Sequence, residues 1–132
     1  MIYLLDTNTC IYFLNGKSAH LNHKFVTISE DTVRLCSVVK AELLVGVIRH
    51  TNPLKRLALI QPFIHRFSLL PFDDSAAHSY ALLCTQLEKQ GQAIGPLDML
   101  IAAIALANNA ILVTNNTKEF KHVQNLQHED WY

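Results

Sequence analysis

The sequence alternates short apolar segments with longer segments that have helical periodicity. The apolar segments at 2–5 (IYLL), 33–36 (VRLC), 68–72 (SLLPF) and 111–114 (ILVT) are predicted to form strands. A strand, helix, strand, helix order favours a parallel sheet that is covered by helices on both faces. The alternation therefore predicts an α/β fold with a central parallel sheet.

Several segments place apolar residues at helical spacing and are predicted to be the helices of this fold. They lie at 8–14, 18–28, 38–49, 53–67, 76–90 and 96–109. Pro62 is expected to kink or split the helix at 53–67, because proline has no N–H to donate and its ring clashes with the preceding turn. Asp74 is expected to be the N-cap of the helix that follows it.

The size and composition predict one ordinary globular domain. The chain has 132 residues, of which 50% are hydrophobic and 17% are charged, so we expect a single domain over residues 1–132. Cys10, Cys36 and Cys84 have no CxxC spacing, which is typical of reduced thiols in the cytoplasm. No signal peptide is recognisable, and the apolar run at 99–107 is shorter than the ~20 residues that cross a bilayer. We expect a soluble, cytoplasmic protein with no membrane partner.

Three acidic residues from distant parts of the sequence are predicted to meet at one edge of the sheet. Asp6 follows the first strand, Glu42 lies early in the helix after the second strand, and Asp98 lies in the first turn of the helix before the strand at 111–114. In a parallel α/β fold the crossover helices begin at the edge where the strands end, and ligands bind there. We therefore expect the three carboxylates to lie close together.

Each of these acids also has an explanation that involves no ligand. Asp6 could cap the first helix, Asp98 could interact with a helix dipole, and Glu42 could be a solvated helix residue. Together, however, three carboxylates repel one another unless a cation or protons compensate their charge. Oxygen ligands suit Mg²⁺, or Mn²⁺ as a substitute, so the pattern predicts a divalent metal site.

Other kinds of site have weaker support. The GQAIG stretch at 91–95 lacks the lysine and hydroxyl residue of a P-loop. His20 and His23 are spaced to share a helix face, but no further cysteine or histidine ligand pattern accompanies them. We expect both histidines to be surface residues.

Four segments together resemble the PIN domain, and more narrowly the VapC toxins of bacterial toxin–antitoxin pairs. They are MIYLLDTN, SVVKAELLVG, IGPLDMLIAAIAL and ILVTNNTKEF, and the ending LQHEDWY is also similar to that of VapC chains. The resemblance implies a three-layer α/β/α PIN-like domain with a central parallel sheet. It also implies an Mg²⁺-dependent endoribonuclease toxin acting on structured RNA such as tRNA, inhibited by a VapB-type antitoxin and dimeric with a second copy.

The resemblance assigns roles to individual positions. Asp6, Glu42 and Asp98 match the catalytic, metal-binding acids of the family, and Asn8 and Thr114 match polar residues that line the same site. A fourth acid is common in the family after the last strand. Here that position is the neutral Asn116, and Glu119 is a candidate to replace the missing carboxylate.

The charge balance is compatible with an RNA substrate. The chain has 11 basic and 11 acidic residues, and setting aside Asp6, Glu42, Asp98 and Glu119 leaves 11 − 4 = 7 acids elsewhere. The remaining surface is then positive. The candidates for contacts to the RNA backbone are Lys40, Arg49, Lys55, Arg56 and Arg66.

The sequence also leaves two alternative functions open and suggests one surface for a partner. DTNT at 6–9 is similar to the DxDxT motif of haloacid-dehalogenase-type phosphatases, but Asn8 replaces the second aspartate, which acts as the general acid. A catalytically degenerate PIN domain that only binds RNA or an antitoxin is the second alternative, and Asn116 is the reason to consider it. The apolar face at 53–67 is predicted to form a groove for an antitoxin helix, with ordinary core or a dimer interface as the alternative.

Overall fold

The computed structural model describes residues 1–132 and contains a five-stranded sheet in which all strand pairs are parallel. The strands are β1 (Tyr3–Leu5), β2 (Val33–Cys36), β3 (Ser68–Leu70), β4 (Ile111–Val113) and β5 (His128–Glu129), in the spatial order β3-β2-β1-β4-β5. The predicted parallel α/β architecture is confirmed. β1 lies between β2 and β4, so both of its edges are hydrogen-bonded.

Seven helices flank the sheet. They are α1 (Thr7–Leu14), α2 (Ala19–Thr27), α3 (Ser37–Arg49), α4 (Pro53–His65), α5 (Asp74–Lys89), α6 (Pro96–Ala107) and α7 (Thr117–Phe120), with a 3₁₀ turn at Glu30–Thr32. The first six correspond to the six helices expected from periodicity. None of the helices is long and apolar enough to cross a bilayer.

The path of the chain reverses beside β1. After β1 the chain moves outward to β2 and β3, and it then returns to form β4 on the other side of β1. In open parallel sheets this reversal opens a crevice at the carboxyl ends of the two central strands, where ligands bind. Asp6 and Thr114 directly follow these two strands.

The core consists of the central strands and the apolar faces of the helices. Leu4, Leu5, Leu35 and Leu112 are fully buried in the sheet. The segment at 101–105 is buried as well, as the nearly uniform apolar character of α6 predicts. Burial of α6 holds its N-terminal turn, which carries Asp98, against the edge of the sheet.

The structure corrects two details of the sequence prediction. Pro62 does not split α4, which runs unbroken through it. Pro62 and Ala58 are both exposed, so water can hydrate the carbonyl that loses its partner four residues before the proline. The N-cap of α5 is Asp73, whose Oδ1 accepts a hydrogen bond from the N–H of Ala76 at 3.0 Å, and not Asp74, which is the first helical residue.

The predicted antitoxin groove on α4 is also wrong for most of its residues. Ile60, Phe63, Ile64 and Phe67 are buried in the core, whereas Leu54, 82% exposed, and Ala58 are exposed. The sequence pattern does not distinguish a face that packs inward from one that awaits a partner. The apolar face of α4 belongs to the core.

Candidate active site

Asp6 joins the end of β1 to the start of α1. Its N–H donates to the carbonyl of Val113 at 3.0 Å, and its Oδ1 accepts a hydrogen bond from the N–H of Thr9 at 2.8 Å. The residue is 4% exposed, so this N-cap bond and the dipole of α1 offset part of the cost of burying its charge. The cap fixes the carboxylate and leaves Oδ2 outside the capping bond.

Glu42 is held against α1 by the side chain of Thr7, the residue that follows Asp6. The hydroxyl of Thr7 donates to Oε1 of Glu42 at 2.7 Å, which links α1 to α3 across 35 residues of sequence. Glu42 is half-buried one turn into α3. A short hydrogen bond to a carboxylate is stronger than one between neutral groups, so Thr7 restricts the orientation of Glu42.

Asp98 lies in the first turn of α6 and shares its surroundings with the other acids. Its pKa is raised from 3.8 to about 6, first because the carboxyl is half-buried, and then because Glu119, Asp6 and Glu42 place negative charge near it. The cause of this pKa shift identifies the four acids that share one electrostatic environment. Asp98 therefore lies within electrostatic range of Glu119, Asp6 and Glu42, and the metal-binding role predicted for these acids stays a prediction.

Two hydrogen bonds connect Thr114, at the end of β4, to Glu119 through Asn116. Thr114 is fully buried, and its hydroxyl accepts a hydrogen bond from the N–H of Asn116 at 2.9 Å. The side-chain amide of Asn116 donates in turn to Oε2 of Glu119 at 3.0 Å. The neutral Asn116 thus orients the nearby carboxylate of Glu119, which fits the proposed replacement of a fourth acid.

An open cleft of about 760 Å³ lies beside the acids. Asn8 and Thr7 of α1 line it, with Glu42, Val45 and Arg49 of α3 and Leu97 of α6. Asn8 is exposed at the mouth of the site, in contrast to the buried Thr114. The cleft is apolar over much of its wall and carries charge at Glu42 and Arg49.

The residues present fit a hard divalent cation in chemistry but do not form a closed shell around one. No three aspartate, glutamate, histidine or cysteine side chains lie close enough together to hold one ion. The side chains facing this edge nevertheless offer carboxylate, hydroxyl and amide oxygens, the donor set that Mg²⁺ and Mn²⁺ prefer. Because Mg²⁺ retains several waters when it binds to proteins, one or two direct carboxylate ligands suffice for it.

The cysteines near the acids do not provide a second kind of chemistry. Burial raises the pKa of Cys10 well above its ordinary value, and the charge of Asp6 raises it further. Burial likewise raises the pKa of Cys36 to about 11, with a smaller contribution from Glu42. Both thiols stay protonated at neutral pH, which excludes them as nucleophiles or as thiolate ligands.

The basic residues expected to contact RNA differ in their surroundings. Arg49 lines the cleft, and Lys55 is exposed on α4, whereas Lys40 and Arg56 are half-buried. Arg66 forms an ion pair with Glu30, with Nη2 at 2.7 Å from Oε1. Its charge is therefore already engaged within the chain.

Sequence reasoning missed Thr7 and Thr9, which position the acids. The spacing of Asp6 and Thr9 is that of an N-cap, and this signal was readable because aspartate commonly accepts a bond from the residue three positions later. No local pattern links Thr7 to Glu42, because the two residues are distant in sequence. Their contact becomes visible only in the fold.

Comparisons with known proteins agree with this architecture. A family model described as the PIN domain matches residues 3–126. The chain is 39% identical to Ribonuclease VapC2 of Rickettsia felis, covering 99% of this chain and 98% of the relative. It is 36% identical to the tRNA(fMet)-specific endonuclease VapC of Shigella flexneri, over 98% of this chain and 97% of that one.

A solved structure is similar over the full length. The crystal structure of VapBC2 from Rickettsia felis bound to a promoter DNA fragment contains a chain with a TM-score of 0.93 to this one. The two chains are 36% identical, and the alignment covers 100% of each.

Proposed function

We propose that this chain, which belongs to the PIN-domain family and within it to the VapC ribonucleases, is an endoribonuclease toxin neutralised by a VapB-type antitoxin. The observation that carries this proposal is the shared electrostatic environment of Asp98, Glu119, Asp6 and Glu42 at the carboxyl edge of the sheet. Carboxylates that repel one another at a ligand-binding edge are stabilised by a divalent cation, and such a cation can in turn bind a phosphodiester. The toxin acts in the cytoplasm, where its RNA substrate is.

Asp6, Glu42 and Asp98 are the residues proposed to hold Mg²⁺, or Mn²⁺ as a substitute, with one or two of them as direct ligands and the remainder bound through waters of the ion. When bound, Mg²⁺ lowers the pKa of a coordinated water and offsets the negative charge that develops on the phosphate. Glu119 stands close enough to raise the pKa of Asp98, which supports a contribution to the same site. We propose one Mg²⁺ if Glu119 is not a ligand, and a second ion only if Glu119 supplies the fourth carboxylate.

The chain's own residues orient the reacting groups. The N–H of Thr9 holds Asp6, and the hydroxyl of Thr7 holds Oε1 of Glu42, which leaves Oε2 to orient the attacking water. Water attacks the phosphorus, the bond from phosphorus to the leaving ribose oxygen breaks, and that oxygen takes up a proton. Asn8 and Thr114 supply polar contacts on either side of this centre.

The proposed substrate is a structured RNA, with tRNA as the first candidate. The Shigella flexneri relative is named as a tRNA(fMet)-specific endonuclease. Lys40, Arg49, Lys55 and Arg56 are the proposed backbone contacts, since none of them is engaged in an ion pair. Arg66 is left out of this set because of its ion pair with Glu30.

The apolar cleft beside Glu42 is the proposed contact for the antitoxin. Val45, 43% exposed, and Leu97, 46% exposed, lie on its wall. Exposed apolar side chains next to an acidic centre fit a partner segment that buries an apolar face and covers the acids. This cleft replaces the face of α4 as the expected antitoxin surface.

We also propose that the chain forms a homodimer. Leu82 of α5 is 61% exposed and Ile48 of α3 is 76% exposed, which provides apolar surface outside the antitoxin cleft. Light scattering on the purified chain, with and without the antitoxin, measures the assembly mass directly. A monomer at all concentrations contradicts the homodimer.

The test of the ribonuclease proposal is cleavage of total tRNA by the purified, antitoxin-free chain. We expect cleavage with Mg²⁺, its loss in EDTA, and its return when Mg²⁺ or Mn²⁺ is added in excess. Binding without cleavage under all of these conditions favours the degenerate module, for which Asn116 is the motivating residue. Hydrolysis of small phosphomonoesters would favour the haloacid-dehalogenase-type phosphatase, an alternative that membership of the PIN-domain family does not support.

A further inference from the structure

A second concave surface lies between α2 and the C-terminal residues that follow β5. Its volume is about 520 Å³. His20, His23 and Lys24 of α2 line one side, and residues 129–132 line the other. We refer to it as the α2–tail cleft.

The α2–tail cleft adjoins the acidic site through the backbone. The N–H of Thr114 donates to the carbonyl of Glu129 at 2.9 Å, so the cleft begins one strand, ~4.8 Å, from a residue of the site. The ring of Tyr132 packs edge-on against Tyr12 of α1 with centroids 4.6 Å apart. Tyr12 belongs to α1, the helix that Asp6 caps, so the contact with Tyr132 connects the cleft to the element that starts at the acidic site.

Aromatic rings form the floor and one end of the cleft. Trp131 is 6% exposed and packs against Tyr3 and Phe25, with centroid distances of 5.1 and 6.0 Å. Lys24 Nζ lies 5.4 Å from the centroid of the Trp131 ring. Tyr132 is 39% exposed, which leaves part of its ring available for a planar group to stack on.

The polar groups of the cleft fall into two sets, hydrogen-bond donors on α2 and carboxylates on the tail. His20 and His23 are exposed and Lys24 is half-buried on the α2 side. On the tail side, Oε1 of Glu129 accepts a hydrogen bond from Trp131 Nε1 at 3.0 Å, and Oδ1 of Asp130 accepts one from the N–H of Tyr132 at 2.9 Å. Each carboxylate is thereby oriented and retains a second oxygen.

We infer that the α2–tail cleft binds one unpaired nucleotide of the RNA, next to the phosphodiester held at the acids. This inference rests on the proposed ribonuclease function and adds the single-stranded character of the segment that is cut. A nucleotide combines an anionic phosphate, a flat π face and N–H donors on the edge of its base. Here Lys24 and the imidazole N–H groups of α2 donate hydrogen bonds to the phosphate, Tyr132 stacks on the base, and the carboxylates of the tail accept hydrogen bonds from its edge.

The dimensions and the polar groups of the cleft predict the size of its ligand and a preference between cytosine and uracil. Its volume lies within the ~300–1,000 Å³ range of small-ligand sites, which admits one nucleotide and excludes a duplex. Glu and Asp side chains accept hydrogen bonds from the exocyclic amino group of cytosine, a group that uracil lacks. The cleft therefore prefers an unpaired cytosine to uracil.

The single tryptophan of the chain provides a direct measurement, because Trp131 is in the cleft. In EDTA, where no cleavage occurs, short oligocytidylate is expected to change Trp131 fluorescence saturably and to bind at least about five-fold more tightly than oligouridylate. His23→Ala is expected to weaken this binding several-fold. His65→Ala, which removes an exposed histidine of α4 outside the cleft, is the matched control and is expected to leave the affinity unchanged.

The tail variants separate stacking from structure. Tyr132→Ala is expected to lose affinity, and Tyr132→Phe to keep it, because phenylalanine preserves both the stacking face and the contact with Tyr12. With Mg²⁺ and RNA, His23→Ala is expected to raise KM and leave kcat unchanged. Equal affinity of oligocytidylate and oligouridylate, or unchanged affinity in both His23→Ala and Tyr132→Ala, overturns the inference.

These results also distinguish the inference from the proposed function. If the wild-type chain cleaves RNA and Trp131 fluorescence does not respond to either oligonucleotide, the nucleotide cleft is wrong and the ribonuclease stands. If the oligonucleotides bind in the cleft as expected and no RNA is cleaved with Mg²⁺, the ribonuclease proposal fails and the nucleotide cleft stands.

Discussion

At the scale of single residues, an acid of the candidate site can both stabilise local structure and act electrostatically on the other acids. Asp6 caps α1 through Oδ1 and also contributes to the raised pKa of Asp98. From the sequence alone, capping and metal binding are alternative roles for Asp6. The structure shows that Asp6 caps α1, and this does not exclude metal binding. The two contributions can be separated by substitutions that remove one and keep the other.

Asp6→Asn keeps an oxygen that can accept the bond from Thr9 and removes the charge, whereas Asp6→Ala removes both. In EDTA we expect Asp6→Asn to unfold with a free energy equal to or above that of wild type, because repulsion with the other acids is relieved. Asp6→Ala is expected to be less stable than Asp6→Asn by about 0.5–2 kcal/mol, the value of a lost N-cap. Thermal unfolding with and without Mg²⁺ measures both effects, and Mg²⁺ should raise the Tm of wild type more than that of either variant.

Asp73 provides the control for these variants. It caps α5 with the same geometry, Oδ1 to the N–H of Ala76 at 3.0 Å, and it is not among the acids that raise the pKa of Asp98. Asp73→Ala should therefore lose a similar capping energy and respond to Mg²⁺ as wild type does. If Mg²⁺ stabilises Asp6→Ala as much as Asp73→Ala, Asp6 is a cap only.

Asp98→Asn is expected to abolish RNA cleavage in a chain that remains folded. The amide is nearly isosteric, but it has no charge to hold Mg²⁺, and relief from Glu119, Asp6 and Glu42 offsets any loss of favourable helix-dipole energy, at most about 1 kcal/mol. Asp74→Asn is the matched control, since Asp74 is also a first-turn helix acid but is exposed on α5. Cleavage by Asp98→Asn at the wild-type rate would remove Asp98 from the site.

At the scale of elements, the sequence predicts long regular segments well and short ones poorly. α5 and α6 were predicted within a few residues because their apolar periodicity extends over several turns. β5 and α7 were not predicted, since two strand residues and four helical residues contain too little periodicity to recognise. α7 carries Glu119, so its absence left the surroundings of that acid undefined.

The sequence predicts those site residues whose positions follow from the topology of the sheet. Asp6 and Asp98 were identified because each lies at a strand or helix terminus that a parallel sheet brings to one edge. Thr7 was not identified, because its bond to Glu42 depends on the packing of α1 against α3. Local sequence has no signal for a contact between two helices.

The Thr7–Glu42 bond is expected to determine how well α3 contributes to the site. Thr7→Val removes the hydroxyl, keeps the branched shape and leaves Glu42 free to rotate. We expect the cleavage rate to fall about 10- to 100-fold, as is usual when a group that orients a metal ligand is lost. Thr7→Ser, which keeps the hydroxyl, should restore most of the rate, and equal rates in the valine and serine variants would show that the hydroxyl has no role.

At the scale of the whole molecule, a chain with a ribonuclease site requires a partner that covers it. Expression of the wild-type chain alone is expected to arrest growth, and co-expression of its VapB-type antitoxin to restore it. Asp98→Asn should be harmless on its own and should still form the complex, because the apolar cleft does not include Asp98. Normal growth with abundant, folded wild-type chain would contradict the toxin function.

The charge distribution of the whole molecule predicts how its affinity for RNA depends on salt. Cations that contact phosphates displace counterions, so log K falls with log salt by about 0.7 for each contact to single-stranded nucleic acid. If Lys40, Arg49, Lys55 and Arg56 all contact phosphates, we expect log K for RNA binding in EDTA to fall with log salt with a slope of about −3.

Single substitutions assign this slope to residues. Arg49 lines the cleft beside Glu42, so Arg49→Ala should make the slope shallower by about 0.7. Arg66→Ala is the matched control, because the guanidinium of Arg66 already pairs with Glu30 at 2.7 Å and is not expected to contact a phosphate. A slope that responds to Arg66→Ala and not to Arg49→Ala would contradict the proposed contact set, because the RNA would then contact Arg66 and not the cleft beside Glu42.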